Sequence, residues 1–328
     1  MKNQLVDSFG REHTYLRISV TDRCNLRCQY CMPQEGLKWK KRSEILSYEE
    51  IEKLAAIFVS MGIKKIRLTG GEPLVRHDLI TLVEKLAAIQ GLETLAMTTN
   101  ATLLAPQAKR LKELGLSAIN ISLDSFRRER LTEIARVDCY ETVMAGVEAA
   151  IAAGFKSLKL NMVVIAGFND DEVLDFARFA ARHDINVRFI EFMPFKDNQW
   201  QPGKVVTYQQ IKAKLEEEFK LVARESEPGA VAKDFAIEGG RGSLSFITSM
   251  SESFCATCNR LRITADGSVK SCLFYPAEIN LRDSLRQNIS ISDLQGMILS
   301  CLAQKPEAHP PAEQIAAQEN RAMIEIGG

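Results

Sequence analysis

Short apolar runs rich in β-branched residues recur along the first two thirds of the chain, and each is followed by a stretch with helical spacing of its apolar residues. The runs predict six strands, at residues 16–21, 64–70, 92–100, 117–124, 157–165 and 186–194. Strands that alternate with amphipathic helices form a parallel sheet with right-handed crossovers. The pattern therefore predicts an α/β fold.

Capping residues mark several helix boundaries. Ser47 precedes Glu50 by three positions, which predicts a capping box at the start of the first helix. Asn169 and Glu172 predict a similar start for the helix at residues 172–183. These signals support the alternation of strands and helices.

Six strand–helix units fit either a doubly wound open sheet or a partial (β/α) barrel, and the pattern weakens near residue 215. The rest of the chain contains a glycine-rich, strand-like region, a cysteine cluster at 255–272 and a helix near 291–303. We predict a catalytic α/β body at 1–215. We also predict a C-terminal extension at 216–328 that packs on this body and caps its mouth.

Charge and targeting signals narrow the possible partners. The 328 residues include 42 Lys+Arg and 42 Asp+Glu, so the net charge is zero and predicts neither a nucleic-acid nor a membrane partner. No apolar run has the length of a membrane span or of a signal peptide, which favours a cytoplasmic location. In that reducing compartment the eight cysteines indicate metal binding or catalysis rather than disulfides.

Three cysteines within eight positions, in CNLRCQYC, directly follow the first predicted strand. Cys24, Cys28 and Cys31 are one thiolate short of a closed zinc site. On a [4Fe–4S] cube, usually held by four cysteines, they would leave one iron open for a small-molecule ligand. The deficit favours an iron–sulfur cluster over structural zinc.

Other polar motifs also follow predicted strands. GGEP follows the second strand, TTN closes the third, and Ser122 and Asp124 close the fourth. The carboxyl ends of parallel strands share one edge, where α/β enzymes place their chemistry. We therefore expect these motifs to meet the first cysteines in one cavity.

A second group of three cysteines lies in the C-terminal extension. Cys255 and Cys258 form a C-x2-C pair, and Cys272 follows after thirteen residues. A second cluster with an open iron and a zinc ribbon are both possible interpretations of this group. Cys139 and Cys301 have apolar settings and are predicted to be buried thiols. The four histidines lack ligand spacing and receive no role.

Cations accompany both cysteine groups. Arg260 and Arg262 alternate after Cys258, so a strand would place them on one face. Arg17, Arg67 and Lys159 lie within predicted strands, where a cation is costly unless it is paired or liganded. Because arginine binds phosphate bidentately, these side chains together predict a triphosphate site.

The spacing C-x3-C-x2-C, with Tyr30 before the last cysteine, resembles the signature of radical S-adenosylmethionine enzymes. Over essentially the whole chain, the sequence is similar to the GTP 3′,8-cyclase family of molybdenum cofactor biosynthesis. The motifs that carry the similarity are CNLRCQYC, IRLTGGEPLVR, TTNA, ISLDS, LKLNMVV, RFIEFMP and CATCNRLRIT with Cys272. The chain has TTNA, with Ala101, where the family often has TTNG.

The resemblance implies an incomplete (β/α)6 TIM-type barrel and a C-terminal extension that carries a second iron–sulfur cluster. It implies two [4Fe–4S] clusters and S-adenosylmethionine as cofactors. The implied cluster ligands are Cys24, Cys28, Cys31, Cys255, Cys258 and Cys272. The implied S-adenosylmethionine contacts are Tyr30, Gly71, Ser122 and Met193. The implied GTP contacts are Arg17, Arg67, Thr98, Lys159, Arg260, Leu261 and Arg262.

The implied reaction is a lyase reaction on GTP. A 5′-deoxyadenosyl radical removes the hydrogen at C3′, and the ribose radical attacks C8 to give 3′,8-cyclo-7,8-dihydro-GTP. The resemblance also implies a reducing electron donor, a downstream cyclic pyranopterin monophosphate synthase, a possible homodimer, and a Gly327–Gly328 tail that reaches into the active site.

Two other functions fit parts of the sequence. A radical peptide-modifying enzyme would share the first cysteine motif but usually carries more C-terminal cysteines than three. A zinc-binding nucleic-acid module could use the arginine pair, although the neutral net charge disfavours it.

Overall fold

Six parallel strands follow one another across the centre of a single sheet in the computed structural model, which describes residues 4–33, 35–225, 229–275, 279–318 and 321–327. These six strands are β1 (Tyr15–Ser19), β2 (Lys65–Thr69), β3 (Thr94–Thr99), β4 (Ala118–Ser122), β5 (Ser157–Val164) and β6 (Asn186–Glu191). Each lies within a predicted strand to within a residue or two. The predicted α/β fold is confirmed.

Helices cover the outside of these strands. They are α1 (Tyr48–Ser60), α2 (Leu79–Ala87), α3 (Ala108–Glu113), α4 (Arg128–Ala135), α5 (Tyr140–Ala153), α6 (Val173–Arg182) and α7 (Tyr208–Glu216). In β1, Leu16 and Ile18 point to this helical layer and are fully buried, whereas Arg17 points the other way. The period of two therefore separates an apolar core from a polar interior.

The C-terminal residues extend the sheet at both edges. The added strands are β7 (Leu221–Ala223), β8 (Ala232–Ile237), β9 (Ser243–Ile247), β10 (Arg260–Ile263), β11 (Ser268–Lys270) and β12 (Ile279–Asn280). The strand order is β12-β11-β10-β1-β2-β3-β4-β5-β6-β9-β8-β7, with β10 parallel to β1 and β9 parallel to β6. The sheet of the described residues is thus mixed, with antiparallel strands only near its edges.

Four more helices follow in the C-terminal part of the described chain. They are α8 (Leu281–Arg286), α9 (Ile291–Ala303), α10 (Ala312–Ala317) and α11 (Met323–Ile326). The predicted helix near 291–303 is confirmed as α9. None of the helices in the described part of the chain has the length and hydrophobicity that a membrane crossing requires.

One of the two predicted helix caps is wrong. Ser47 and Glu50 form the capping box at α1, with Glu50 N–H donating to Ser47 Oγ at 3.2 Å. Glu172 instead is buried and accepts hydrogen bonds from the Ser125 hydroxyl and the Phe126 N–H. The Asn169 side chain donates to the carbonyls of Asp124, in the loop after β4, and of Val163 in β5, so neither side chain caps the start of α6.

Candidate functional site

A cavity of about 1050 Å³ extends along the polar interior of the sheet, from the carboxyl ends of β1–β6 to their amino ends. Six cysteines line it. We call Cys24, Cys28 and Cys31 the first cysteine set, and Cys255, Cys258 and Cys272 the second cysteine set. The two sets lie at opposite ends of the cavity, which makes the space between them the candidate site.

The first cysteine set lies on the loop after β1, at the carboxyl ends of the strands. This loop packs on the end of α4, with the Arg27 N–H donating to the Ala135 carbonyl at 3.1 Å. Cys24 Sγ accepts from the Leu26 N–H at 3.4 Å and from Asn100 Nδ2 at 3.7 Å. Sulfur atoms that bind iron commonly receive such N–H donors, so the loop fits a cluster ligand set.

The thiols of the first cysteine set are held in their neutral form. Burial raises the pKa of Cys24 to about 11 and that of Cys31 to about 12. Metal binding therefore has to displace their protons. Among the described residues, no three His, Cys, Asp or Glu side chains converge on a position for one metal ion. A cubane does not need such convergence, since each of its cysteines binds a different iron.

The GGEP loop positions the first cysteine set. A Cβ at Gly71 would lie 2.2 Å from the Arg23 carbonyl oxygen, so only glycine permits this approach to the cysteine loop. Glu72 is fully buried, and its carboxylate accepts from Thr99 Oγ1 at 2.8 Å and from the Asn100 N–H at 2.6 Å. Burial raises the pKa of Glu72 to about 7. The loop thus joins the cysteine loop to the end of β3.

Tyr30 and Asp124 form a second link at this end of the cavity. The Tyr30 hydroxyl donates to Asp124 Oδ2 at 2.7 Å, and Asp124 Oδ1 accepts from the Val163 N–H at 2.9 Å. Burial raises the pKa of Asp124 to about 6. Ser122 and Met193 line the same region, so the four predicted S-adenosylmethionine contacts, including Gly71, surround the end that holds the first cysteine set.

A layer of cations crosses the middle of the cavity. We call Arg17, Arg67, Lys159, Arg188, Arg260 and Arg262 the cationic layer; all six line the cavity. Arg17 lies opposite both Arg67 and Arg262 in the strand register, which brings three guanidiniums together.

Three of these cations each bury one side-chain nitrogen that has no acceptor among the described residues. Within the described ranges, Arg17 Nε, Arg188 Nε and Arg262 Nη1 are buried without a hydrogen-bond acceptor. Desolvation lowers the pKa of both Arg17 and Arg188 to about 10 and that of Lys159 to about 8. Buried and unpaired cations are unfavourable, so the layer fits a polyanionic ligand.

The second cysteine set lies at the amino ends of the strands. Tyr15 at the start of β1 pairs with Arg260 at the start of β10, and Cys258 lies two residues before Arg260. The prediction that the extension caps the same mouth as the first cysteines is wrong for this set. The parallel pairing of β10 with β1 carries the residues before β10 to the opposite end.

Two cysteines of the second set have a more positive environment than the first set. Burial raises the pKa of Cys258, but Arg260 and Lys305 outweigh burial and lower it to about 6. Burial likewise raises the pKa of Cys255, but His309 and Ser253 outweigh it and lower it to about 7. The protein thus favours thiolates at Cys255 and Cys258, whereas burial raises the pKa of Cys272.

Comparison with known proteins shows which family this chain resembles. Residues 18–180 match the radical SAM superfamily, and residues 185–311 match Molybdenum Cofactor Synthesis C. The mitochondrial GTP 3′,8-cyclase of Arabidopsis thaliana is 47% identical over 100% of this chain and 84% of that protein. The GTP 3′,8-cyclase of Moorella thermoacetica is 44% identical over 98% of this chain and 99% of that protein.

The chain belongs to the GTP 3′,8-cyclase family. It also matches molybdenum cofactor biosynthesis protein 1 of Homo sapiens, at 47% identity over 98% of this chain, and spans only 51% of that longer protein. Membership of the radical SAM superfamily implies a [4Fe–4S] cluster and S-adenosylmethionine as cofactors.

Solved structures add support for the fold alone. Streptococcus suis SuiB has a TM-score of 0.61 at 13% identity, over 88% of this chain and 68% of that chain. A second SuiB structure, described as bound to the precursor peptide SuiA, has a TM-score of 0.61 at 14% identity. Identities this low do not carry a substrate from one protein to the other.

Among the residues that the GTP 3′,8-cyclase resemblance assigns, Leu261 stands apart. Its side chain is 1% exposed and packs in the hydrophobic core, whereas its neighbours Arg260 and Arg262 line the cavity. Any contact of Leu261 with a ligand would therefore involve its backbone.

Among the cavity-lining residues of the central strands that sequence reasoning missed, five have a phenol, amide or cationic side chain. They are Tyr15, Lys65, Asn120, Asn161 and Arg188. The first four lie two positions from an assigned site residue, so the period of two along each strand could have found them. Arg188 lies two positions after Asn186 on β6, a strand that the sequence analysis connected only with its terminal motif.

The departure of this chain from the family motif has a structural consequence. Ala101 has φ +64°, in the left-handed region that favours glycine. An alanine there costs about 1–2 kcal/mol relative to the right-handed region. The TTNA loop nevertheless keeps Asn100 at Cys24 and Glu72, so the substitution leaves the site contacts in place.

The C-terminal tail enters the cavity at the first cysteine set. Met323 lines the cavity, and Ile324 packs with Met32. Gly327 has φ +87°, and a Cβ there would lie 2.8 Å from Thr69 Oγ1 and from Ser19 Cβ. Gly328, the other glycine assigned to the tail, lies outside the described residues.

Proposed function

We propose that this chain is a GTP 3′,8-cyclase, a lyase that converts GTP into 3′,8-cyclo-7,8-dihydro-GTP in the first step of molybdenum cofactor biosynthesis. One observation carries the proposal: a single cavity has a three-cysteine set at each end and a layer of six cations between them, three of which bury a nitrogen without an acceptor in the described part of the chain. A nucleoside triphosphate has both the anionic charge and the heteroaromatic base that such a cavity can hold.

At the carboxyl end, the first cysteine set would hold the [4Fe–4S] cluster, and Tyr30, Gly71, Ser122 and Met193 would contact S-adenosylmethionine. When bound, these cofactors supply the 5′-deoxyadenosyl radical that removes the C3′ hydrogen of GTP. A carbon radical abstracts the nearest available hydrogen. The residues that position GTP therefore determine which of its hydrogens lies closest to the radical.

In the middle of the cavity, the proposed GTP contacts are Arg17, Arg67, Thr98, Lys159, Arg260, the Leu261 backbone and Arg262, together with Arg188. Their cations would bind the triphosphate and fix the ribose between the two ends. Walls formed by six strands and the C-terminal extension would exclude water from the radical.

At the amino end, the second cysteine set would hold a second [4Fe–4S] cluster with an open iron for the guanine edge. A zinc ion is the alternative for this set. Three thiols beside Arg260 and Lys305 fit an anionic cluster, since the nearby cations offset its charge.

The proposal extends to the boundary between the barrel and the C-terminal extension. We infer that β1–β6 with their helices form an incomplete (β/α)6 barrel within residues 1–215, and that residues 216–328 form the extension that carries the second cluster. The support is the succession of six parallel strands, to which β9 and β10 add at either edge.

Several partners belong to this proposal. Reductive cleavage of S-adenosylmethionine requires a reducing electron donor, and the product requires a downstream cyclic pyranopterin monophosphate synthase. A homodimer and a cytoplasmic location stay predictions. The absence of a nucleic-acid partner also stays a prediction, based on the neutral net charge.

The proposal is tested with GTP that carries deuterium at C3′. Anaerobic, reduced protein with S-adenosylmethionine should form deuterated 5′-deoxyadenosine only when this GTP is present. Deoxyadenosine without deuterium, formed at the same rate with or without GTP, would favour another substrate such as a peptide. Formation of no deoxyadenosine by iron-loaded protein would contradict the radical mechanism.

Tyr15 gives a pH-dependent prediction. Its hydroxyl accepts from Arg67 Nε at 2.6 Å. Desolvation opposes its ionisation, but Arg67, Arg17 and Lys65 outweigh desolvation and lower the pKa of Tyr15 to about 7. A phenolate would occupy the cations that the triphosphate needs. GTP affinity should therefore be highest below this pKa and fall above it, by up to about tenfold per pH unit.

Isothermal titration of GTP across this pH range measures the effect. The variant Tyr15→Phe should lose the decline above neutral pH, while any change due to ionisation of GTP itself persists in both proteins. An identical pH profile for the wild type and Tyr15→Phe would contradict the prediction.

Gly327 gives a prediction about the tail. Gly327→Ala should reduce cyclisation at least about tenfold with normal iron content, because its methyl group would collide with Ser19 and Thr69. Gly239→Ala is the matched control: Gly239 has φ +75° but nothing within 4 Å of an added Cβ. Equal losses of activity in the two variants would mean that the seating of the tail is not the cause.

A further inference from the structure

Lys305 is a buried lysine that directly contacts the second cysteine set. It follows α9 by two residues and is only 4% exposed. Its Nζ lies 3.8 Å from Cys258 Sγ, 3.1 Å from the Arg260 carbonyl oxygen and 2.8 Å from the Ser271 carbonyl oxygen. The three contacts match the three hydrogens of an ammonium group.

The two carbonyl contacts of Lys305 lie close to two cysteines of the second set in the sequence. Arg260 follows Cys258 by two residues, and Ser271 directly precedes Cys272. One ammonium therefore joins the two loops that carry Cys258 and Cys272, although the two cysteines are separated by β10 and β11.

A second cation joins the remaining cysteine to the same segment. The Arg11 guanidinium donates to the carbonyl of Cys255 at 2.8 Å and to the carbonyls of Pro306 and Glu307, both at 2.7 Å. Arg11 also forms an ion pair with Asp7, with 2.6 Å between Arg11 Nε and Asp7 Oδ2. All three cysteines of the second set are thus tied to the segment that begins at Lys305.

The charge of Lys305 lacks an ordinary counter-ion. In the portion of the chain that the structure describes, no Asp or Glu forms an ion pair with it. Burying an ammonium group is costly unless a negative charge compensates for it. The nearest source of negative charge is the second cysteine set, once its thiols are deprotonated by a metal centre.

We propose that Lys305 is a positioning residue for the second cluster. It holds the Cys258 and Cys272 loops at the spacing that the cluster requires, and its fixed positive charge offsets the negative charge of the thiolate-bound cluster. This role rests on the proposed presence of that cluster. A positive charge beside a cluster favours its reduced form, so Lys305 raises the reduction potential.

The test compares three variants of the full chain, each reconstituted anaerobically with iron and sulfide. Lys305→Met removes the charge and keeps the apolar stem. Lys305→Arg keeps the charge. Lys220→Met is the control, because Lys220 is an exposed cation paired with Glu238 at the far edge of the sheet. The readouts are iron per chain and the potential of the second cluster from a redox titration followed by electron paramagnetic resonance.

Lys305→Met is expected to disfavour reduction of the second cluster about tenfold, a shift of about −59 mV for a one-electron couple. Under limiting iron it is also expected to hold closer to about four irons than about eight. Lys305→Arg should recover most of the potential, and Lys220→Met should match the wild type.

Three results would overturn the proposal. They are a wild-type potential with about eight irons in Lys305→Met, the same shift in Lys220→Met, and loss of iron from both cysteine sets, which would mean a general effect on the fold. Wild-type protein that holds only about four irons would contradict the presence of the second cluster itself. The iron content of the wild type is measured first, so this result is distinguished from an effect of the variants.

Discussion

Replacing Cys28 with alanine should abolish cyclisation and reduce the iron content from about eight to about four atoms per chain. Cys28 lies in the middle of the first cysteine set and lines the cavity. Formation of the radical depends on the cluster that this set would hold. Three thiolates already leave one iron of the cubane without a cysteine ligand, and the two that remain in the variant would not retain the cluster. GTP binding should survive, because the cationic layer lies away from this loop.

Cys139→Ala provides the matched control for that loss. Cys139 is 6% exposed and packs in the hydrophobic core without lining the cavity. Its removal should cost about 1 kcal/mol of stability through the lost sulfur, with iron and activity retained. Iron analysis, deoxyadenosine formation and GTP titration measure the three properties. Cys28→Ala protein that keeps all of its iron would contradict the assignment of the first cysteine set.

Replacing Arg262 with methionine should weaken GTP binding by roughly ten- to hundredfold and at the same time raise the melting temperature of the ligand-free protein. Arg262 is 3% exposed, and its Nη1 has no acceptor in the described chain. Burial lowers its pKa, and Arg17 and Arg260 lower it further by repulsion. Its hydrogen bonds to phosphate would contribute about 1.5–3 kcal/mol, but without GTP the buried charge only destabilises.

Arg130→Met should change the stability of the protein but not its affinity for GTP. Arg130 lies outside the cavity and pairs with Asp171 at 2.6 Å and with buried Glu172 at 2.5 Å. Its loss should lower the melting temperature and leave GTP affinity unchanged. If Arg262→Met instead lowered the melting temperature and bound GTP normally, Arg262 would be a structural residue and the cationic layer would lose its proposed role.

The cationic layer also distinguishes the two radical enzymes that the sequence allows. The peptide-bound SuiB structure resembles this chain in fold at 14% identity, whereas relatives named GTP 3′,8-cyclase are 43–47% identical over nearly the whole chain. A peptide would need partners for its backbone along an open groove. Three buried guanidinium nitrogens without acceptors instead match a compact polyanion.

Local signals in the sequence were sufficient for most of the fold and for grouping the six cavity cysteines into two sets. The six central strands follow from runs of β-branched residues, and the Ser47–Glu50 cap from a spacing of three. Both signals act within a few residues, and in these elements the tertiary packing agrees with them. Where burial does override them, the prediction fails: Glu172 has the spacing of a cap but binds Ser125 and Phe126 across the fold.

The arrangement of the site depended on pairings between distant parts of the chain. Only the parallel pairing of β10 with β1 shows that the two cysteine sets lie at opposite ends of one cavity. Only tertiary packing brings Lys305 to Cys258 and Gly327 to Thr69, and neither contact has a local pattern.

The sequence by itself thus determined which residues alternate toward the interior of each strand and which cysteines belong to each set. Those properties depend on covalent spacing and the strand period of two. The tertiary structure alone decided what lies between the cysteine sets and what holds them. These contacts form only when segments that are distant in the sequence, such as β1 and β10, come together in the fold.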